Sequence, residues 1–172
     1  MKKNKGFTLI EVLVATLILA IGILGLAGLQ ATGLRNNLSA YNRSQATQLA
    51  YNMADRMRAN ITDASNLGTS TYITISPVSD ADVQNDCKQV STTCTAADMA
   101  ENDLFEWNCS LAGCDAEAGP PAMAAVPAIL PLGLGTIAVA GAGANAIFTI
   151  TVTWDDNRDG NAGTNFLMRF QL

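Results

Sequence analysis

Residues 7–29 read FTLIEVLVATLILAIGILGLAGL, and of these 23 only Glu11 is charged. As a helix rising about 1.5 Å per residue the stretch reaches roughly 34 Å, enough to cross a hydrocarbon core of about 30 Å. It follows MKKNKG, which holds three lysines. A short basic end before a long apolar run, with no small-x-small cleavage pattern closing it, reads as a retained membrane helix and not a discarded secretory signal. Its N-terminus then lies in the cytoplasm. Glu11 is the misfit, because a carboxylate in such a helix costs a few kcal/mol. No basic residue lies in the run, and Lys5 stands six positions away, off the i+3/i+4 spacing at which helix side chains meet. Two readings stand. Either Glu11 is solvated among headgroups, or a cut just before Phe7 creates an ammonium that neutralises the Glu11 of a neighbouring subunit.

The stretch KGFTLIEVLVA resembles the class III leader and N-terminal helix of type IV pilins and of the pseudopilins of type II secretion. Gly6, Phe7, Thr8, Leu9, Ile10 and Glu11 stand in the order of that pattern. The resemblance implies cleavage between Gly6 and Phe7 by a prepilin peptidase, N-methylation of Phe7 and a role for Glu11 in assembly. It also implies a helix stored in the inner membrane and later buried in a filament. Residues 1–6 are then the leader and 7–29 the membrane and filament-core half of a long helix.

The helical pattern continues beyond the apolar run. From residue 30 on, Leu38, Tyr41, Leu49, Met53, Met57 and Ile61 fall near one face with Ala46, Ala50 and Ala54 beside it; residues 30–60 form this half. That 3–4 spacing marks an amphipathic half ending near Asn60. Arg35, Arg43, Arg56 and Arg58 point elsewhere. Gly22, Gly25, Gly28 and Gly33 interrupt the helix; close packing and local bending in a filament are the two explanations.

Charge divides the chain in the same way. Residues 7–60 hold four arginines against two acids, while residues 61–172 hold three basic residues and thirteen acids. An acidic outer domain excludes nucleic acid as a direct partner, since phosphate binding needs clustered Lys and Arg. The chain has no histidine, which removes the usual general base and the commonest transition-metal ligand. No nucleophile-base set or phosphate-cradling glycine loop is present, so the expectation is a protein that is not an enzyme and carries no required cofactor.

Residues 61–172 read as an α+β head. STYITIS (70–76), GTIAVAG, AIFTITVTW and TNFLMRFQL read as four strands, and TAADMAENDLFEWNCSL as a short helix. Phe148, Ile150, Val152 and Trp154 share one face of their strand. Trp107 and Trp154 read as core anchors. DAEAGPPAMAAVPAILPLG, with four of the five prolines, reads as a connecting loop. Cys87, Cys94, Cys109 and Cys114 lie in the exported head, where disulfides form. Of the three pairings the short loops favour Cys87–Cys94 with Cys109–Cys114; Cys87–Cys114 with Cys94–Cys109 is the rival. DDNRDG (155–160) has the spacing of the first calcium ligands of an EF-hand at Asp155, Asn157 and Asp159, but Phe166 stands where the bidentate Glu belongs. A solvated turn is the alternative.

AYNRSQATQLAYNMADRMRAN resembles the PilV-type minor pilins, the type IV pilus modification protein family, and DLFEWNCSL, LPLGLGTIAV and FTITVTWDDNRDG resemble it again later. This implies the type IV pilin fold, a long helical spine packed on an antiparallel sheet. It implies a minor pilin that primes assembly with other major and minor pilins and the inner-membrane assembly platform, and that moves from inner membrane to pilus surface. Adhesion and twitching motility come with the same resemblance. A minor pseudopilin is the alternative function, and a tip adhesin an alternative of another class.

Overall fold

The computed structural model describes residues 6–75, 87, 93–114 and 125–172. Most of the leader, the end of the expected strand at 76, and residues 115–124 of the proline-rich loop lie outside the described residues. The order is α1 (Leu9–Ala59), α2 (Ile61–Ala64), α3 (Thr71–Thr74), α4 (Ala96–Ala112), β1 (Leu134–Ala140), a 3-10 turn (Gly143–Asn145), β2 (Ile147–Trp154) and β3 (Thr164–Phe170). Two compact units result, Met1–Ala40 and Tyr41–Leu172.

The first unit is the leading part of α1. Its large apolar side chains lie open, from Phe7 at 84% to Leu34 at 72% exposed. It is long and apolar enough to cross a membrane.

The second unit has the α+β architecture expected. β1, β2 and β3 form an antiparallel sheet in that order. Alternation decides its faces: Phe148, Ile150, Val152 and Trp154 are buried, as the period of two requires. They pack with Ala46, Leu49, Ala50, Met53, Ala54 and Met57 of α1 and with Leu104, Trp107 and Leu111 of α4 in one core. Both tryptophans anchor that core, each 1% exposed.

α4 starts at a capping box. The Thr95 hydroxyl accepts from the Asp98 N–H at 3.2 Å while the Asp98 carboxylate accepts from the Thr95 N–H at 2.8 Å, a reciprocal cap. Gly113, at φ 82°, closes it. Gly135 in β1 lets the sheet approach α4: a Cβ there would lie 2.3 Å from Trp107 Cζ3.

Three expectations are corrected. STYITIS is not a strand: Thr71–Thr74 forms one helical turn, so the described sheet has three strands and not four. The turn is dictated by tertiary bonds, because Ser70 Oγ donates to Asp63 at 2.8 Å and Tyr72 must face α4. The buried stripe of α1 excludes Tyr41 and Ile61, at 56% and 53% exposed, and takes in Asn42 instead. Arg56 does not point away from the core side; it is bonded to α4.

Candidate functional site

Two regions carry chemistry, one in each unit. In the first, Gly6 and Phe7 precede the helix, non-helical and exposed. Helix α1 then starts at once, with Glu11 and Val12 donating their N–H groups to Thr8 O at 3.1 and 3.4 Å. Glu11 therefore stands in the first turn, where unpaired N–H groups and the helix dipole favour a carboxylate. Phe7, Glu11, Val12, Ala15, Thr16 and Leu19 line one shallow stripe. The arrangement places a carboxylate one turn from Phe7 on an otherwise apolar rod. A carboxylate so placed can neutralise an ammonium brought alongside.

In the second unit a polar network fastens α1 to the head. Arg56 Nη1 donates to Asp103 Oδ1 at 2.8 Å and to Glu106 Oε2 at 2.9 Å, and Arg56 Nε donates to Asn52 Oδ1 at 2.9 Å. Tyr72 OH donates to the other Asp103 oxygen at 2.5 Å, and Asn60 Nδ2 donates to Ala96 O at 2.7 Å. Burial alone lowers the Arg56 guanidinium, but its bonds to Glu106 and Asp103 outweigh that and raise it. Burial, followed by the bond to Asp103, pushes the Tyr72 phenol well above its usual range. Both groups are thus fixed in the forms that hold the network. One turn earlier the Trp107 indole donates to Leu49 O at 2.9 Å. At the Tyr41 end, Asp156 Oδ1 accepts from Asn42 Nδ2 and from Trp154 Nε1, each at 3.1 Å.

The cysteines close as Cys87–Cys94 and Cys109–Cys114, the short-loop pairing. In the DDNRDG loop, Asp155 is buried and its carboxylate accepts from the Asp159 N–H at 3.2 Å and the Gly160 N–H at 2.7 Å. Asp159 Oδ1 accepts from the Asn161 N–H at 2.9 Å. These bonds make a turn capped by its own backbone, so a calcium ion would have to share Asp155 with two N–H groups. Asn157 and Asp159 are exposed, and among the described residues no group of three or more His, Cys, Asp or Glu is gathered for a metal.

The sequence reading singled out Gly6, Phe7 and Glu11 by order alone; Gly6 and Phe7 stand non-helical ahead of α1 and Glu11 in its first turn. It passed over Arg56 and Asn42. For Asn42 a signal was present: Asn42, Ala46, Ala50, Met53 and Met57 follow the helical repeat, which Tyr41 does not, and Ile61 lies beyond the end of α1.

An apolar helix led by one carboxylate, followed by a disulfide-bearing α+β head, is the construction of a filament subunit with a processed N-terminus. Comparison with known families agrees. Residues 1–27 match the prokaryotic N-terminal methylation motif, and residues 28–105 match the family described as type IV pilin Tt1218. The two matches adjoin over residues 1–105, and across them the chain is similar to the type IV pilins. No curated protein and no solved structure matches it.

Proposed function

We propose that the chain is a minor pilin of a type IV pilus, of the PilV-like kind, held in the inner membrane by residues 7–29 and then drawn into the filament. The observation that supports this is the leading part of α1: an apolar surface lying open around one first-turn carboxylate, with 0% of its most apolar window buried. Such a surface has to be covered by lipid or by like helices. After a prepilin peptidase cuts at Gly6, the Phe7 ammonium of one subunit pairs with Glu11 of another and sets their register, since a lone charge in apolar surroundings is costly. The partners are other pilins and the inner-membrane assembly platform. In this reading the subunit primes assembly, is exposed on the pilus afterwards and has no catalytic role; adhesion and twitching motility depend on it through the pilus.

Glu11→Gln and Glu11→Ala test the mechanism. The leader should still be removed, as shown by intact mass, while the variant disappears from sheared pili. Incorporation at the wild-type level would end the charge-pairing account. Deleting the gene separates the two filament systems: lost surface pili support the pilin reading, whereas lost enzyme secretion with pili intact assigns the chain to the secretion pseudopilins.

A further inference from the structure

Of the 14 glycines in the chain only Gly160 follows an Asp or an Asn. The Asp159–Gly160 bond lies in the connection between β2 and β3, where residues 157–163 are exposed. A Cβ at Gly160 would meet nothing within 4 Å, so glycine is required there by its φ of 88° and not by crowding. An Asp-Gly pair has a chemistry of its own. The backbone nitrogen of the glycine attacks Cγ of the preceding carboxyl in its acid form, and the new C–N bond closes a five-membered succinimide. The hydroxyl of that carboxyl and the amide hydrogen leave together as water. Water then reopens the ring at one of its two carbonyls. This restores aspartate or gives isoaspartate, whose backbone runs through the former side chain. One water leaves and one returns, so no other reactant is needed. Glycine puts no side chain in the way of the attack.

Two bonds in the turn stand against this reaction. The Gly160 N–H donates to Asp155 Oδ2 at 2.7 Å, and Asp159 Oδ1 accepts from the Asn161 N–H at 2.9 Å. In a trans peptide the N–H hydrogen lies on the side of the preceding Cα, and in the succinimide Cγ takes that hydrogen's place. Asp155 Oδ2 therefore stands on the path by which Asp159 Cγ would arrive. Asp155 is firmly anchored. It is 3% exposed, its own N–H donates to Pro131 O at 2.9 Å, and its other oxygen accepts from the Asp159 N–H at 3.2 Å. Arg158, just before the bond, has a φ of 55°, a left-handed conformation that a residue other than glycine keeps only where its surroundings impose it.

From this we infer that Asp159–Gly160 is a site of self-modification to isoaspartate, held latent by the Asp155 carboxylate. Asp155 is a positioning residue: it keeps the Gly160 nitrogen from the Asp159 carboxyl, and opening of its bond releases the rearrangement. The product lengthens the β2–β3 connection by one methylene and leaves the free carboxylate on the Asp159 Cα. Nothing in this depends on assembly into a pilus.

The test ages the full chain in detergent at neutral pH and maps it after chymotryptic cleavage at Trp154 and Phe166. In that peptide isoaspartate at residue 159 separates from aspartate at equal mass and is assigned by fragmentation. Asp155→Asn keeps the size of the side chain but leaves one acceptor oxygen where there were two. It should accumulate isoaspartate at residue 159 about tenfold faster than wild type, the factor expected for loss of one hydrogen bond to a charged group. Arg56→Met, which loosens the head where α1 meets α4, should stay at the wild-type rate. Equal rates in Asp155→Asn and wild type, or an equal rise in Arg56→Met, would overturn the inference. A slower rate in Asp155→Asn would also overturn it, by making Asp155 the base that drives ring closure. If Asp155→Asn does not fold, the wild-type chain decides alone. Native protein should rearrange at least about tenfold more slowly than the same chain in guanidinium, and equal rates would end the protective role of Asp155.

Discussion

Gly135→Ala should unsettle the head more than a single methyl normally does. The added Cβ would lie 2.3 and 2.5 Å from Cζ3 and Cη2 of Trp107 and 2.8 Å from Leu111 Cδ1. A neighbour at the end of a flexible chain would swing away, but Trp107 is 1% exposed and its indole N–H is tied to Leu49 O at 2.9 Å. Moving the ring gives up that bond, worth about 1 kcal/mol, on top of about 1–3 kcal/mol for overpacking. Alanine recovers about 0.5–1 kcal/mol of strand propensity relative to glycine, leaving a net loss of about 2–3 kcal/mol. For a head of this size that lowers Tm by about 6–10 °C. Thermal melts of the detergent-solubilised full chain, followed by tryptophan fluorescence, measure it directly. The decisive control is the same substitution in a Trp107→Leu background, where the clash is gone and alanine should cost at least about 1 kcal/mol less. A Gly135→Ala protein melting within a degree of wild type, or an undiminished cost with Leu at 107, would refute the close-approach argument.

Other consequences follow from the network and the acidic turn. Arg56→Met leaves Asp103 and Glu106 facing each other without their shared cation and should cost about 2 kcal/mol, less than for a fully buried pair because Arg56 is partly exposed; chemical denaturation reads it. Tyr72 has its folded pKa raised above the unfolded value near 10. Its contribution is therefore complete below pH 10 and is lost as pH rises beyond, at up to about 1.4 kcal/mol per pH unit. Melts across the alkaline range should show this decline, and Tyr72→Phe should make it shallower. Asp155→Ala removes the acceptor for two backbone N–H groups and should destabilise the head by about 2 kcal/mol, equally with calcium and with chelator. A loss seen only with calcium present would show that the carboxylate serves a cation and not the turn.

How much of this was legible depended on whether the signal was periodic or relational. The later part of helix α1 and strands β1 to β3 declare themselves by apolar repeats of 3.6 and 2 that the core enforces, and the leading part of α1 by its unbroken apolar run. The Gly6-Phe7-Glu11 order was legible because it is linear, lying within six consecutive residues. Thr71–Thr74 was misread because Ser-Thr-Tyr-Ile-Thr-Ile alternates like a strand, while what curls it is distant: Asp63 receiving Ser70 and Asp103 receiving Tyr72. Arg56 looked like one more solvated helix charge because its partners lie 47 and 50 positions away. Nothing in β1 itself explains Gly135; the position of Trp107 does.

The two disulfides span only seven and five residues. Neither crosses from α1 to the sheet, so within the head the spine is attached by side-chain packing and the bonds of Arg56, Trp107 and Asn42. Apart from the backbone that runs on from Ala59, a pull applied to the helix at one end and the sheet at the other is therefore resisted by noncovalent joints. Under tension the spine would shear free of its head before either covalent staple was loaded, and a reducing agent would leave that breaking force unchanged.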